Sequence, residues 1–183
     1  MANVDGNTVT SSDGLNWNGP YDLNMNINHV ATNDTTIVAI DGGDNIGYTS
    51  FSNPSATTPI TATVSDITSI SLSQIIYGGG YFVVAGNGID GMKSVPLYGY
   101  SSDGSNWTFK IVEGELATTL ASNNDENCSF SDIDYNGTGW NFAVVANNIG
   151  GGVYTTDITE TFTNSNFFGM VAGQQVAWNG SSW

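Results

Sequence analysis

A seven-residue box stands in this chain twice, ninety positions apart: Ser11-Ser12-Asp13-Gly14-Leu15-Asn16-Trp17 and Ser101-Ser102-Asp103-Gly104-Ser105-Asn106-Trp107. Weaker echoes are Tyr48-Thr49-Ser50-Phe51-Ser52-Asn53 and Tyr154-Thr155-Thr156-Asp157-Ile158-Thr159. A second element recurs around them: an apolar run, a small turn, then an aromatic or β-branched run. It occupies Ile75–Gly86 and Ile133–Ala146, and more loosely Val30–Ile40. A last copy opens at Val176-Ala177-Trp178-Asn179-Gly180 and runs to Trp183. Asn-Gly between alternating apolar runs is a strong hairpin signal, so each copy reads as strand, tight turn, strand. A repeated unit of this size cannot bury its apolar face alone and must stack on its neighbours. Four copies in 183 residues give about 46 residues each, the size of one propeller blade.

The two ends of the chain complement each other. Asn179-Gly180-Ser181-Ser182-Trp183 followed by Met1-Ala2-Asn3-Val4 parallels Gly78-Gly79-Gly80-Tyr81-Phe82 followed by Val83-Val84-Ala85-Gly86. Turn markers at Asp34, Gly79, Gly137 and Gly180 are spaced by 45, 58 and 43 residues, and by 37 across the joined ends. The expected architecture is therefore an all-β, four-bladed propeller closed by strands from both termini, which leaves no open sheet edge. Its approximate units are 176–183 with 1–17, then 18–56, 57–109 and 110–175, with a long insertion between Lys110 and Cys128. An open piece of a longer array, or half of a dimeric ring, is the alternative. Composition agrees with strands and tight turns rather than helices: 61 of the residues are Asn, Thr or Ser, and 23 are Gly.

The Ser-x-Asp-Gly-x-x-Trp box resembles the Asp-box on blade hairpins of sialidase-like propellers. It is most similar to the repeats of bacteriophage and large-virus structural proteins. That resemblance spans nearly the whole chain and implies a structural turn. In such a turn Asp13 and Asp103 accept backbone N–H bonds, while Gly14 and Gly104 adopt positive φ. Ser11 and Ser101 open the turn, and Trp17 and Trp107 fill the gap between blades.

Charge removes several functions. Two Lys, no Arg and 17 Asp or Glu leave a net charge of -15, which excludes phosphate neutralisation and so nucleic-acid binding. An anionic membrane surface is disfavoured for the same reason, and no apolar run approaches a spanning helix, so no membrane insertion is expected. No charged-then-apolar leader opens the chain, and the expectation is a soluble protein. Cys128 stands alone, so it can form no internal disulfide. Sialidases clamp a carboxylated sugar with arginines, and neither Lys93 nor Lys110 supplies that planar fork. Carboxylate pairs such as Asp132 with Asp134, or Glu113 with Glu115, share a strand face as glycosidase acids would, and equally as solvated surface acids.

The remaining candidates are single residues or loops. His29 is the only histidine and is read as a surface or inter-blade residue, since one His without a nearby Cys makes neither a zinc site nor a triad. Cys128 has no basic neighbour to lower its pKa. Calcium is the one cofactor the composition favours, with Asp41, Asp44, Asp125 and Glu126 as candidate ligands and a solvated acidic loop as the alternative. The calcium-loop-like run from Asp132 to Gly137 carries Ala143 where a glutamate is needed and reads as strand and turn. Gly78–Gly80 and Gly150–Gly152 are read as turns, not phosphate loops. Five Asn-x-Ser/Thr triplets, at Asn33, Asn106, Asn127, Asn136 and Asn179, are expected by chance in such a composition. Trp178 and Trp183 at the seam are candidates for stacking sugar rings, with core packing as the alternative.

The functional expectation is a non-enzymatic virion surface protein of a phage: a capsid decoration, knob or fibre component, extracellular on the particle. Its partners would be other virion proteins or host-surface glycans. The alternative is a carbohydrate-binding, lectin-like propeller, with a glycosidase a distant third. Oligomeric state is not readable from the sequence.

Overall fold

The computed structural model describes residues 7–52, 59–91, 93–111, 128–146, 149–155, 157–159 and 168–170. All the regular structure among them is β. Strands β1 (Asn7–Thr10) and β2 (Asn18–Asp22) form a two-stranded sheet. Three four-stranded sheets follow in chain order. The first contains β3 (His29–Thr32), β4 (Thr36–Ile40), β5 (Asn45–Ser50) and β6 (Ile60–Thr61). The second contains β7 (Ile70–Gly78), β8 (Tyr81–Asp90), β9 (Lys93–Ser101) and β10 (Thr108–Ile111). The third contains β11 (Cys128–Tyr135), β12 (Trp140–Ala146), β13 (Ile149–Thr155) and β14 (Phe168–Met170). Every pairing is antiparallel between chain neighbours, so each sheet is a meander. Three of the four hairpins expected from the second element are β3–β4, β7–β8 and β11–β12, and the fourth, at 176–183, lies outside the described residues.

The sheets stack because their second strands are apolar on both faces. Phe82, Val83, Val84 and Ala85 of β8 are all buried. Phe82 and Val84 join Val38, Ile40 and Ile46 of the preceding sheet, together with Leu72 and Leu97, in one core. Val83 and Ala85 face the other way and join Phe130, Ile133, Trp140 and Phe142 of the following sheet in a second core. Alternation along one strand thus supplies two cores, as the two-residue strand period requires.

A bulge sets the phase of the first strands. Leu72 and Ile75 are both buried although three apart, as are Phe130 and Ile133. In an unbroken strand such residues would face opposite sides. The register slips between Leu72 and Gln74, and again between Phe130 and Asp132, which inserts Ser73 and Ser131 as extra residues. Ser73 Oγ donates to Ala85 O at 3.0 Å and Ser131 Oγ donates to Ala143 O at 3.4 Å, in each case to the facing strand. Ser73 Oγ also reaches Phe130 O at 2.8 Å, and Gln74 Nε2 donates to Asp132 Oδ1 at 3.0 Å, so β7 and β11 are tied together. On the other side, Leu72 N donates to Gly43 O at 2.9 Å in the β4–β5 loop.

Two expectations change. Each box reverses the chain tightly, so its flanking strands must pair: β2 completes the sheet of β1, and β10 that of β9. Asn18–Asp22 therefore does not open the unit expected at 18–56, and the sheet after it runs from His29 to Thr61. Gly150–Gly152 are not a turn. They lie inside β13, with Val145, Val144 and Ala143 of β12 on one side and β14 on the other. Glycine has no side chain to resist an extended strand, and ladder hydrogen bonds from both neighbours decide its conformation. The seam between the termini and the insertion after Lys110 lie outside the described residues, apart from Ile111.

Candidate functional site

The two boxes fold into the same turn. Asp13 Oδ1 accepts the N–H groups of Leu15 at 2.9 Å and Asn16 at 2.8 Å, and Asp13 Oδ2 accepts Asn16 Nδ2 at 2.7 Å. Ser11 Oγ donates to Asp13 Oδ1 at 3.0 Å and accepts Gly14 N at 2.8 Å. In the second box Asp103 Oδ1 accepts Ser105 N and Asn106 N, both at 2.8 Å, and Asp103 Oδ2 accepts Asn106 Nδ2 at 2.8 Å. Ser101 Oγ donates to Asp103 Oδ1 at 2.9 Å and accepts Gly104 N at 2.8 Å. Gly14 and Gly104 have φ of +73° and +80°, as the sequence predicts. Asn16 and Asn106, to which the sequence reading gave no role, hold the second carboxylate oxygen. Their repetition at the sixth place of the box was the available signal.

These bonds hold both carboxyls well below the usual carboxylate range. For Asp13 the Asn16 N–H contributes most, followed by the Asn16 side-chain amide; for Asp103 the Asn106 side-chain amide leads. Asp157, in the echo after β13, is lowered mainly by the Thr159 hydroxyl, which donates at 2.7 Å. All three acids serve the charged form of a turn. The sign of the pH dependence follows. The unfolded carboxyls titrate near about 3.9, so the turns contribute fully above that pH and lose their contribution as it falls through the lower folded values. An Asp13→Asn, Asp103→Asn double variant keeps the Oδ1 acceptors but loses the charge. Its melting temperature is expected to fall less steeply than that of the parent chain between about pH 5 and about pH 2.5, where the unfolded carboxyls take up protons and the folded ones do not. Parallel melting curves across that interval would show the reading to be wrong.

The tryptophans diverge. Trp107 Nε1 donates to Gly104 O at 2.9 Å, and its ring stacks on Phe109 at 6.0 Å beside the core between the first two four-stranded sheets. Trp17 is 56% exposed and Leu15 84% exposed. Trp107 thus packs against a core shared by two sheets. Trp17 sits on a two-stranded sheet with no such core among the described residues.

An open cleft of about 830 Å³ lies beside the first box, lined by Ser12, Asn33, Asp34, Thr35, Phe51 and Tyr77 among others. Its wall is the β3–β4 turn, where Asn33 Oδ1 accepts Thr35 N at 2.9 Å, Thr36 N at 2.7 Å and Thr35 Oγ1 at 3.1 Å. Asn136 builds the same turn between β11 and β12, accepting Thr138 N at 2.9 Å and Gly139 N at 2.8 Å. Asn33 and Asn136, two of the Asn-x-Thr triplets, are therefore turn formers. In the echo after β5, Phe51 stands where the boxes have aspartate; its N–H donates to Thr35 O at 2.8 Å and its side chain borders the cleft.

The other candidates have local roles. Asp41 Oδ1 accepts Gly43 N at 2.8 Å and Asn45 N at 3.2 Å, and Oδ2 accepts Asn45 Nδ2 at 2.7 Å, which engages both oxygens in a box-like turn. Asp44 is half-buried in the same loop, and its carbonyl accepts Ala62 N at 2.7 Å. Among the described residues no three His, Cys, Asp or Glu side chains stand together as a metal site. Asp125, Glu126, Trp178 and Trp183 lie outside the described residues, as do Glu113 and Glu115. Asp132 is buried against Gln74, and Asp134 Oδ1 accepts Tyr135 N at 2.8 Å. His29 opens β3 half-buried, and Cys128 opens β11 opposite Ala146. Lys110 Nζ donates to Thr159 O and lies 5.7 Å from the Tyr100 ring centre, so it ties β10 to the turn after β13.

No family model, curated protein or solved structure matches the chain.

Proposed function

We propose that the chain is a four-bladed β-propeller acting as a non-enzymatic surface component of a virion, a decoration, knob or fibre element facing the host. The observation that carries this reading is the use of the repeated acids. In both boxes the carboxylate is fully engaged by its own turn, so the most recurrent polar constellation in the chain builds hairpins and leaves no acid for catalysis there. Rigid, acidic, turn-locked sheets suit a display scaffold. The two unlike features of the chain, a charge of -15 and the near absence of basic residues, keep such a surface soluble and away from nucleic acid.

Blade number is argued from the boxes. The Ser101 box joins the third and fourth strands of its sheet, and the Ser11 box joins β1 to β2. By that equivalence β1 and β2 are the outer half of a fourth blade whose inner strands come from 176–183 and the first residues of the chain. Deleting residues 1–17 is then expected to lower the melting temperature and broaden the transition, because one blade loses its strands. An unchanged melting curve would overturn closure. The functional reading is tested separately, by mass spectrometry and immunogold labelling of purified particles of the encoding virus. Labelled intact particles are expected; particles without the chain would end the proposal.

A further inference from the structure

The cleft beside the Ser11 box carries groups that the fold does not use. Asn33 is pinned by three hydrogen bonds to Oδ1, which fixes its planar amide and leaves both Nδ2 hydrogens for a ligand. Asp34 next to it is exposed on the same turn, and the exposed Ser12 lines the same cleft. Two aromatic rings complete the lining. Phe51 is half-buried at the end of the first four-stranded sheet. Tyr77 is 39% exposed, and its ring is supported by Phe82 at 4.8 Å. The volume of about 830 Å³ falls within the roughly 300–1,000 Å³ of small-ligand sites.

We propose that this cleft is a binding site for a neutral carbohydrate, held by stacking on Tyr77 or Phe51 and by hydroxyl hydrogen bonds to Asn33, Asp34 and Ser12. Each part follows from chemistry. A sugar ring presents an apolar C–H face that packs on an aromatic surface. Its adjacent hydroxyls both donate and accept, which a paired amide donor and carboxylate acceptor on one rigid turn can satisfy together. The lining holds one carboxylate and no cationic side chain, so an acidic sugar would meet repulsion without a partner. The turn is already locked by its own hydrogen bonds, so little ordering opposes binding. This site goes beyond the display role and does not depend on it.

The test uses the full chain and saturation-transfer NMR with lactose, maltose and chitobiose at millimolar concentration, and sialyllactose as the anionic counterpart. At least one neutral sugar is expected to bind, with amide shifts in protein-observed spectra confined to Ser12, Asn33 and its side chain, Asp34, Phe51, Tyr77 and their immediate chain neighbours, and sialyllactose is expected to bind no better. Asn33→Asp keeps the Oδ1 acceptor of the turn and removes the donors, and about a tenfold loss of affinity is expected. Ser12→Ala touches a hydroxyl that holds no turn, so it is expected to weaken binding several-fold without moving the melting temperature. The proposal is overturned by silence from every neutral sugar, by preference for the anionic one, or by shifts elsewhere. Unaltered binding in both variants overturns it as well.

Discussion

Replacing Gly86 with alanine is expected to cost the domain more than about 4 kcal/mol, the range reached by backbone collisions in a packed core. A Cβ at this position would lie 2.0 Å from Ser71 O and 2.9 Å from both Ser71 C and Leu72 Cα. None of those atoms belongs to a side chain that could swing aside. Gly86 faces Leu72 directly beside the Ser73 bulge, and it follows Ala85, whose carbonyl accepts the bulge serine. Making room would separate β7 from β8, the pair that links the two cores. Through β7 the damage would reach Phe130 O, which accepts Ser73 Oγ, and the Gly43 carbonyl, which accepts Leu72 N. At roughly 2–4 °C per kcal/mol for a chain of this length, the melting temperature should drop by more than about 8 °C, and much of the protein should be insoluble on expression. A thermal melt within about 2 °C of the parent would show that the β7–β8 approach is looser than described.

That prediction also marks where sequence reading stops. The register equates Gly86 with Val144, since each faces the buried residue just before a bulge, Leu72 or Phe130. From the repeat alone, Gly86→Val would look like a harmless exchange between copies. Strand and turn were legible at β3–β4, β7–β8 and β11–β12, because apolar runs around small turns have few other ways to satisfy the backbone. The bulges were half legible. Ser71-Leu72-Ser73-Gln74 and Ser129-Phe130-Ser131-Asp132 are visibly alike, yet a one-residue slip in register leaves no local mark in composition. The membership of β2 was misread for a related reason: a box marks a reversal but does not say which neighbouring strand belongs to the same sheet. The cleft was illegible. It gathers Ser12, Asn33, Phe51 and Tyr77 from distant parts of the chain, and the box echo that carries Phe51 had already lost its aspartate.

Gly104→Ala is expected to be much more damaging than Gly14→Ala, although the two glycines occupy the same place in the same turn. Their φ angles are +80° and +73°, so each substitution carries the same backbone strain of about 1 kcal/mol. The serine and aspartate bonds around them match, and the further bond from Trp107 Nε1 goes to a Gly104 carbonyl that alanine keeps. What differs is the ground each turn stands on. A Cβ on Gly104 would lie 2.7 Å from Val38 Cγ2 and 3.2 Å from Thr36 Cγ2, whereas a Cβ on Gly14 would meet nothing within 4 Å. Both neighbours of Gly104 are β-branched and stiff at χ1, and Val38 is fully buried, so neither yields cheaply. Overpacking adds about 1–3 kcal/mol to Gly104→Ala, for a total of about 2–4 kcal/mol against about 1 for Gly14→Ala. Melting temperatures should then fall by roughly 4–16 °C and 2–4 °C respectively. Because local turn chemistry cancels in this comparison, the difference measures how firmly the Ser101 box docks on β4. Equal and small losses would mean that it does not dock. Equal and large losses would place the Ser11 box against a sheet as well, and Trp17 and Leu15 could not then be as open to solvent as the two-stranded sheet leaves them.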